Sequence, residues 1–261
     1  MILPFFRVDA FAERIFAGNP AAVCILADWL PDEILRGIAA ENNLSETGFV
    51  IARGERYDLR WFTPKCEAQL CGHATLAAAF VIFSLLEPRR STVQFTTRSG
   101  ILRVRSEDDL LALDLPALAP WVCQKPPALL LQGLGLSPEQ VLQVQDNYFA
   151  VCADEEQVRL AQPDFNLLET LHPFGVCITA PGEQSDFVSR YFAPSYGVPE
   201  DPVTGSTHRS LVPYWSARLG KRPLHARQLS ARGGQLWCEL VGDRVIIKGR
   251  AVLYLTGTIT V

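Results

Sequence analysis

The chain has 261 residues, of which 48% are apolar and 20% charged, and its formal net charge is −4. This high apolar content and low net charge exclude intrinsic disorder and provide material for one large core or two small ones. Only four of the 24 basic residues are lysines and no basic stripe follows any segment, which argues against a nucleic-acid partner.

The predicted elements alternate between short strands and helices, as expected of an α+β protein. Alternating or apolar runs predict strands early in the chain at 5–9, 22–26, 48–52, 57–62, 92–96, 101–105 and 110–115. Later strands are predicted at 141–144, 149–153, 175–179, 187–192, 235–241, 244–248 and 251–261. Helices are predicted at 31–41, 74–86 and 210–219. The apolar part of the second helix would rise only ~16 Å against a bilayer core of ~30 Å, which predicts a buried helix and no membrane partner.

Seven cysteines are spread along the chain with no Cys-x-x-Cys pair. Cys24, Cys152, Cys177 and Cys238 lie in apolar, strand-like runs, where a thiol usually packs as a small hydrophobe. This usage predicts reduced thiols in a cytoplasmic protein, with neither a disulfide framework nor a zinc site. The first residues contain no basic segment followed by an apolar run, so we expect no signal peptide.

The sequence repeats itself at an offset near 130 residues. The pentapeptide RWFTP at 60–64 recurs as RYFAP at 190–194, and three further matches occur in the same order in both halves, one of them pairing Asn19 with Asn147. The repeat predicts two half-domains, 1–117 and 134–261, joined by a connection at 118–133. In this alignment Asp201 takes the place of Cys71.

Two helix starts are candidate anion sites. Each carries small or polar residues just before an apolar helix, where unpaired backbone N–H groups favour a carboxylate or phosphate: Gly72 and His73 in the first half, and Gly205, Ser206 and Thr207 in the second. The alternative is an ordinary helix start, with the histidine as a cap. If both bind one anion, they would stabilise negative charge that develops beside a carboxylate when a C–H proton is removed.

Acidic candidates accompany both helix starts. Glu46 precedes the apolar strand at 48–52, a setting that favours a raised pKa and a general acid/base role, although a surface turn is the alternative. Asp201 precedes a proline and would ordinarily be a turn residue, but the repeat places it beside the second cluster. Asn19 also precedes a proline, where it either donates to a ligand or forms a turn.

Other reactive residues carry less weight. Cys71 and His73 are two apart, and residues at that spacing on a helix do not face each other, which argues against a thiol–imidazole couple. His172, His208 and His225 lack metal-ligand spacing and are expected to be capping or surface residues. No phosphate-binding glycine loop occurs, so neither a metal nor another cofactor is predicted.

The motifs together resemble the PhzF-like phenazine-biosynthesis family. The motifs that carry the resemblance are VDAF at 8–11, GNPAAV at 18–23, NLSET at 43–47, RWFTP at 60–64, CGHAT at 71–75 and EDPVTGS at 200–206. The resemblance implies a diaminopimelate-epimerase-like α+β fold of two pseudo-symmetric half-domains, each a small β-barrel around a central helix, with the site between them. It also implies that Glu46 is the proton-shuttling acid/base, that His73 and Asp201 line the same site, and that a homodimer forms.

We therefore predict a cofactor-independent isomerase that moves a proton on a small carboxylate-bearing metabolite in a biosynthetic process. Side chains and N–H groups of the motifs are predicted to bind substrate: Asn19, Cys71, Gly72, Gly205, Ser206 and Thr207. Two alternatives stay open, an amino-acid racemase in which Cys71 faces Asp201 or Glu46, and a non-catalytic metabolite-binding protein. Thr207 and Arg209 replace the small residue and the cysteine of the commoner family motif.

Overall fold

The computed structural model describes all 261 residues, with strands and helices alternating along the chain. The strands are β1 (Ile2–Ala10), β2 (Asn19–Leu26), β3 (Glu46–Arg53), β4 (Arg56–Phe62), β5 (Glu67–Ala68), β6 (Thr92–Thr97), β7 (Gly100–Glu107), β8 (Leu110–Pro116), β9 (Trp121–Val122), β10 (Gln140–Val144), β11 (Asn147–Val151), β12 (Gly175–Pro181), β13 (Phe187–Ala193), β14 (Val198–Asp201), β15 (Leu224–Gln228), β16 (Gly234–Val241), β17 (Arg244–Gly249) and β18 (Ala251–Thr260). The α-helices are α1 (Asp32–Asn42), α2 (Gly72–Val81), α3 (Ala128–Leu134), α4 (Glu155–Leu160), α5 (Phe165–Glu169) and α6 (His208–Leu219).

The chain divides into two compact units. The first consists of Met1–Leu115 and Ile246–Val261, and the second of Pro116–Val245. The last residues belong to the first unit because β18 pairs antiparallel with β1 along its whole length. The predicted halves had placed this segment in the second half, and the predicted connection at 118–133 lies within the second unit.

The first unit is a sheet with α2 packed against four of its strands. The strands follow the order β18–β1–β2–β3–β4–β6–β7–β8, in which β2–β3 and β4–β6 are parallel and the other pairs antiparallel. A helix that is apolar on every side is stable only when it is covered on every side. Accordingly, every residue of α2 except Phe80 is buried, and the helix contacts β1, β2, β3 and β18.

The second unit repeats this topology. Its strands follow the order β9–β10–β11–β12–β13–β15–β16, with β11–β12 and β13–β15 parallel. The series of parallel and antiparallel pairs from β11 to β16 therefore matches that from β2 to β7. The predicted fold of two similar α+β halves, each with one long central helix, is confirmed.

Some elements differ from the sequence expectation. The predicted connection contains β9 and most of α3. This helix begins directly after Pro127, because a proline is tolerated at a helix start and its ring restricts the backbone dihedral angle there. The strand β15 was not predicted. No helix of the chain is both long enough and apolar enough to cross a membrane.

Candidate active site

The backbone places Glu46 at the first position of β3. Helix α1 ends because Asn43 adopts the left-handed conformation (φ 47°), which the helix cannot continue. The Asn42 side chain donates a hydrogen bond of 3.1 Å to the Thr47 hydroxyl, which ties the turn to the strand. Glu46 itself lies beside Ala21 of the parallel strand β2. Its side chain is only 18% exposed, unlike that of an ordinary surface-turn glutamate.

His73 lies in the first turn of α2, where its imidazole is buried. Its Nε2 is 3.4 Å from Glu46 Oε2, and its Nδ1 is 3.1 Å from the side-chain nitrogen of Asn19. An amide N–H can only donate, so with this amide orientation Nδ1 accepts, and a neutral imidazole carries its proton on Nε2, facing Glu46. Asn19, predicted as a ligand donor, therefore contacts His73 and fixes its tautomer.

Cys71 completes this group, with Sγ 3.5 Å from His73 Nδ1. The expectation that the two side chains do not face each other is wrong. It assumed helical spacing, whereas Cys71 is the N-cap residue and has an extended backbone (φ −137°, ψ 113°). The structure thus brings together four predicted residues of the first unit, Asn19, Glu46, Cys71 and His73.

In the second unit Asp201 is the last residue of β14 and is buried. Its Oδ2 accepts a hydrogen bond of 2.6 Å from the Thr204 hydroxyl. The amide of Gln228 holds the same loop, because its oxygen accepts from Thr204 N at 2.8 Å and its nitrogen donates to Asp201 O at 2.8 Å. Sequence reasoning missed Gln228, which lies in the unpredicted β15; the only signal was a polar residue at the end of a short alternating run.

The second predicted helix start is built as a short 3-10 turn. Gly205, Ser206 and Thr207 form this turn, and α6 begins at the next residue. The Thr207 hydroxyl donates to Thr204 O at 2.8 Å, which commits it to the turn. Arg209, a departure from the family motif, donates from Nε to the carbonyl of Pro116 at 2.9 Å.

His208 is buried, which contradicts its expected surface position, while it does cap the 3-10 turn that precedes α6. Its Nδ1 donates to Thr204 O at 2.9 Å, and its ring lies beside Phe187 with centroids 5.7 Å apart. Nε2 is buried without a hydrogen-bond partner. A second proton would therefore enter an apolar environment, and burial lowers the pKa of His208 to about 4.

This depressed pKa makes a pH-dependent contribution to stability. In the unfolded chain His208 takes up a proton below about pH 6.5, whereas in the folded chain it stays neutral until about pH 4. The contribution is fully present above the unfolded pKa and is lost as the pH falls, so the free energy of unfolding should decrease by about 3 kcal/mol between pH 6.5 and 4. Urea unfolding of the wild type and His208→Thr at several pH values measures this difference. Parallel pH profiles would contradict the assignment.

An arginine–glutamate pair recurs in both units. Arg60 binds Glu67 through Nε at 2.8 Å and through Nη2 at 2.7 Å, while Arg190 binds Glu200 in the same two-pronged manner at 2.7 and 2.9 Å. Each guanidinium also lies over the phenylalanine two residues further on, at 5.0 and 5.1 Å. We call this arrangement the arginine clasp. In each unit it fixes the loop that leads to the central helix.

The clasp corrects the alignment of the repeat. Glu67 and Glu200 are equivalent, and the residues four positions further on are Cys71 and Thr204. The carbonyl groups of these two residues each accept a side-chain hydrogen bond from the residue four places later. Thr204, and not Asp201, therefore takes the place of Cys71.

The strand register identifies the counterpart of Glu46. Trp61 and Tyr191 are equivalent in the repeat. Trp61 pairs with Gly48 of the neighbouring strand, and Glu46 lies two residues before Gly48. Tyr191 pairs with Cys177, and Gly175 lies two residues before Cys177. A side chain at 175 would begin 2.0 Å from the Tyr191 hydroxyl oxygen. The second unit consequently has no carboxylate at the position of Glu46.

The fold is that of a class of racemases and epimerases. The hydroxyproline epimerase of Agrobacterium vitis matches with a TM-score of 0.64 over 99% of this chain and 92% of that one, at 12% identity, a likeness of fold alone. The predicted diaminopimelate-epimerase-like architecture agrees with this match.

The chain belongs to the phenazine biosynthesis-like (PhzC-PhzF) family, whose characteristic sequence pattern matches residues 8–257. An uncharacterized isomerase of Pseudomonas aeruginosa is 52% identical over 259 residues, which is 99% of each chain. The crystal structure of a PhzF-family protein from Enterococcus faecalis covers 100% of both chains with a TM-score of 0.94 and 45% identity. The prediction of an isomerase of this family is confirmed at that level, while its substrate and catalytic residues stay predictions.

Proposed function

We propose that the protein is a cofactor-independent isomerase in which Glu46 moves a proton between two carbon atoms of a small carboxylate-bearing metabolite. The observation that carries the proposal is the contact between Glu46 Oε2 and His73 Nε2 at 3.4 Å, inside a group whose orientation Asn19 fixes. A carboxylate beside a buried imidazole can remove a proton and return it, since the neighbouring N–H stabilises its charged form.

The asymmetry of the two units supports a single acid/base group. By the pairing of Trp61 and Tyr191 with their neighbouring strands, Gly175 is the counterpart of Glu46, and by the arginine clasp Thr204 is that of Cys71. A two-base racemase needs an ionisable group on each side of its substrate carbon, whereas an isomerase returns the proton with the group that removed it. The absence of an ionisable side chain at either repeated position argues against a racemase with two equivalent bases, which supports the isomerase.

Substrate binding is the less defined part of the proposal. As the family resemblance implies, we keep Asp201 as a residue of the site, and Gly72, Gly205 and Ser206 as donors to the substrate carboxylate. Helix α2 supports this role, because the N–H groups of its first turn are not used within the helix.

One observation favours the second candidate, an amino-acid racemase. Cys71 Sγ lies 3.5 Å from His73 Nδ1, a distance at which the imidazole can take the thiol proton and leave a nucleophilic or basic thiolate. In that reaction the proton acquired by the α-carbon comes from a group opposite the thiol. The thiol would then be indispensable to exchange.

Solvent deuterium incorporation separates the candidates. Small carboxylates that raise the melting temperature of the protein are incubated with it in D2O, and substrate and product are examined by NMR. The proposal expects an isomer whose proton has moved between carbons. Inversion at one α-carbon, with exchange lost in Cys71→Ser, would establish the racemase. Ligands that stabilise the protein without exchange or conversion would establish a binding protein.

We further propose a cytoplasmic, homodimeric protein with a biosynthetic role. None of the seven cysteines forms a disulfide, as expected in a reducing compartment, and the four in strand-like runs are buried as predicted. Light scattering during size-exclusion chromatography decides between monomer and dimer.

A further inference from the structure

The group in the first unit combines three kinds of metal ligand. Cys71 Sγ, a ring nitrogen of His73 and a carboxylate oxygen of Glu46 all lie within 4.8 Å of one another. Cys71 and His73 are each only 3% exposed. A thiolate, an imidazole and a carboxylate are the donors that zinc takes in proteins.

The distances suit tetrahedral coordination. Zinc with bonds of about 2.0 to 2.3 Å places neighbouring ligand atoms about 3.4 to 3.6 Å apart. His73 Nδ1 stands 3.5 Å from Cys71 Sγ, and His73 Nε2 stands 3.4 Å from Glu46 Oε2. Whichever ring nitrogen takes the ion, one of the two partners is thus already at ligand distance, and the other closes by rotation of its side chain.

We propose that Glu46, Cys71 and His73 form a reversible zinc site whose occupation inhibits the protein. On binding, the Cys71 thiol releases one proton to solvent, and the sulfur, the neutral imidazole and the ionised carboxylate each donate an electron pair to Zn²⁺. No oxidant or reductant is involved. Mg²⁺ and Ca²⁺ prefer all-oxygen ligands and do not compete for the thiolate.

Inhibition follows from the proposed function, on which this part of the inference rests. A Glu46 carboxylate bound to zinc is a much weaker base for a substrate proton, because the cation withdraws its electron density. Zinc binding itself depends only on the three side chains.

Cobalt(II) is the probe, because it replaces zinc and its bond to a thiolate gives a charge-transfer absorption in the near ultraviolet. The full-length, metal-free protein is titrated with Co²⁺ under anaerobic conditions, and Zn²⁺ is then added as competitor. We expect saturation at one equivalent and displacement of the band by zinc. The band should disappear in Cys71→Ser and persist in Cys66→Ser, which removes an exposed thiol outside the group.

Two results would overturn the zinc site: no charge-transfer band in the wild type, or a band that survives in Cys71→Ser. Because Cys71→Ser could weaken binding by unfolding the site, Glu46→Gln and His73→Gln are measured too, and each should raise the Co²⁺ dissociation constant on the order of tenfold or more. The proposed function fails separately. If Glu46→Gln converts substrate at the wild-type rate while it still loses metal affinity, the zinc site stands and the isomerase mechanism falls.

Discussion

Glu46→Gln should lower the rate of isomerisation and of solvent deuterium exchange by a factor on the order of 10²–10⁴, the usual contribution of a general acid/base group. Glutamine keeps the size of the side chain and its capacity for hydrogen bonds with His73, but it cannot take a proton. Ligand binding should therefore be retained, and the ligand-induced rise in melting temperature should match that of the wild type.

Glu41→Gln is the matched control for this experiment. Glu41 is exposed near the end of α1, five residues before Glu46. Its substitution by glutamine makes the same change of charge outside the site. We expect wild-type turnover from this variant. Full turnover by Glu46→Gln itself would remove Glu46 from the mechanism, whereas loss of both turnover and ligand binding would assign it a binding role.

The largest effect on stability is expected from Arg190→Met. The Arg190 side chain is 11% exposed, and its guanidinium donates to both oxygens of Glu200 and to the carbonyl groups of Val158 and Ala161. Methionine fills a similar volume but leaves the Glu200 carboxylate without its cation and the two carbonyls without their donor. Removal of one partner of such a largely buried pair costs about 3 kcal/mol, which urea unfolding measures as a lower midpoint.

Arg53→Met is the control for the arginine clasp. Arg53 also binds two carboxylates, those of Asp28 and Asp58. These two ion pairs lie at the surface, where solvent and salt screen charge interactions. Its loss should leave the unfolding midpoint unchanged. Equal effects of the two substitutions would show that the clasp contributes no more than an exposed ion pair.

Strand positions were predictable because side-chain alternation reflects burial on one face of a sheet. The strands predicted at 48–52 and 187–192 lie within β3 and β13, and the apolar run at 74–86 forms α2 and a following π-helical turn, Ile82–Leu86. The repeat was visible as well, since its shared motifs mark equivalent strands.

The register of the repeat and the partners of the site residues were not predictable. Glu67 lies seven residues after Arg60, but Glu200 lies ten after Arg190, and a constant offset cannot reveal those three additional residues. The contact of Cys71 with His73 depends on an extended N-cap, which residue spacing does not encode. Gln228 reaches Thr204 across 24 residues of chain, so that only the paired strands bring them together.

The glycine at position 175 separates proton transfer, which we propose for the first unit, from substrate binding, to which we propose that the second unit contributes Gly205 and Ser206. Since the second unit keeps the clasp but carries no acid/base group at this place, its residues are not constrained by the need to move a proton. The segment 204–209 is constrained instead by structure and binding, because Thr204 and Thr207 hold the turn, His208 is buried, and Gly205 and Ser206 are the proposed donors to the substrate carboxylate. Substitutions there should accordingly change stability and substrate affinity, while proton transfer by Glu46 keeps its own groups in the first unit.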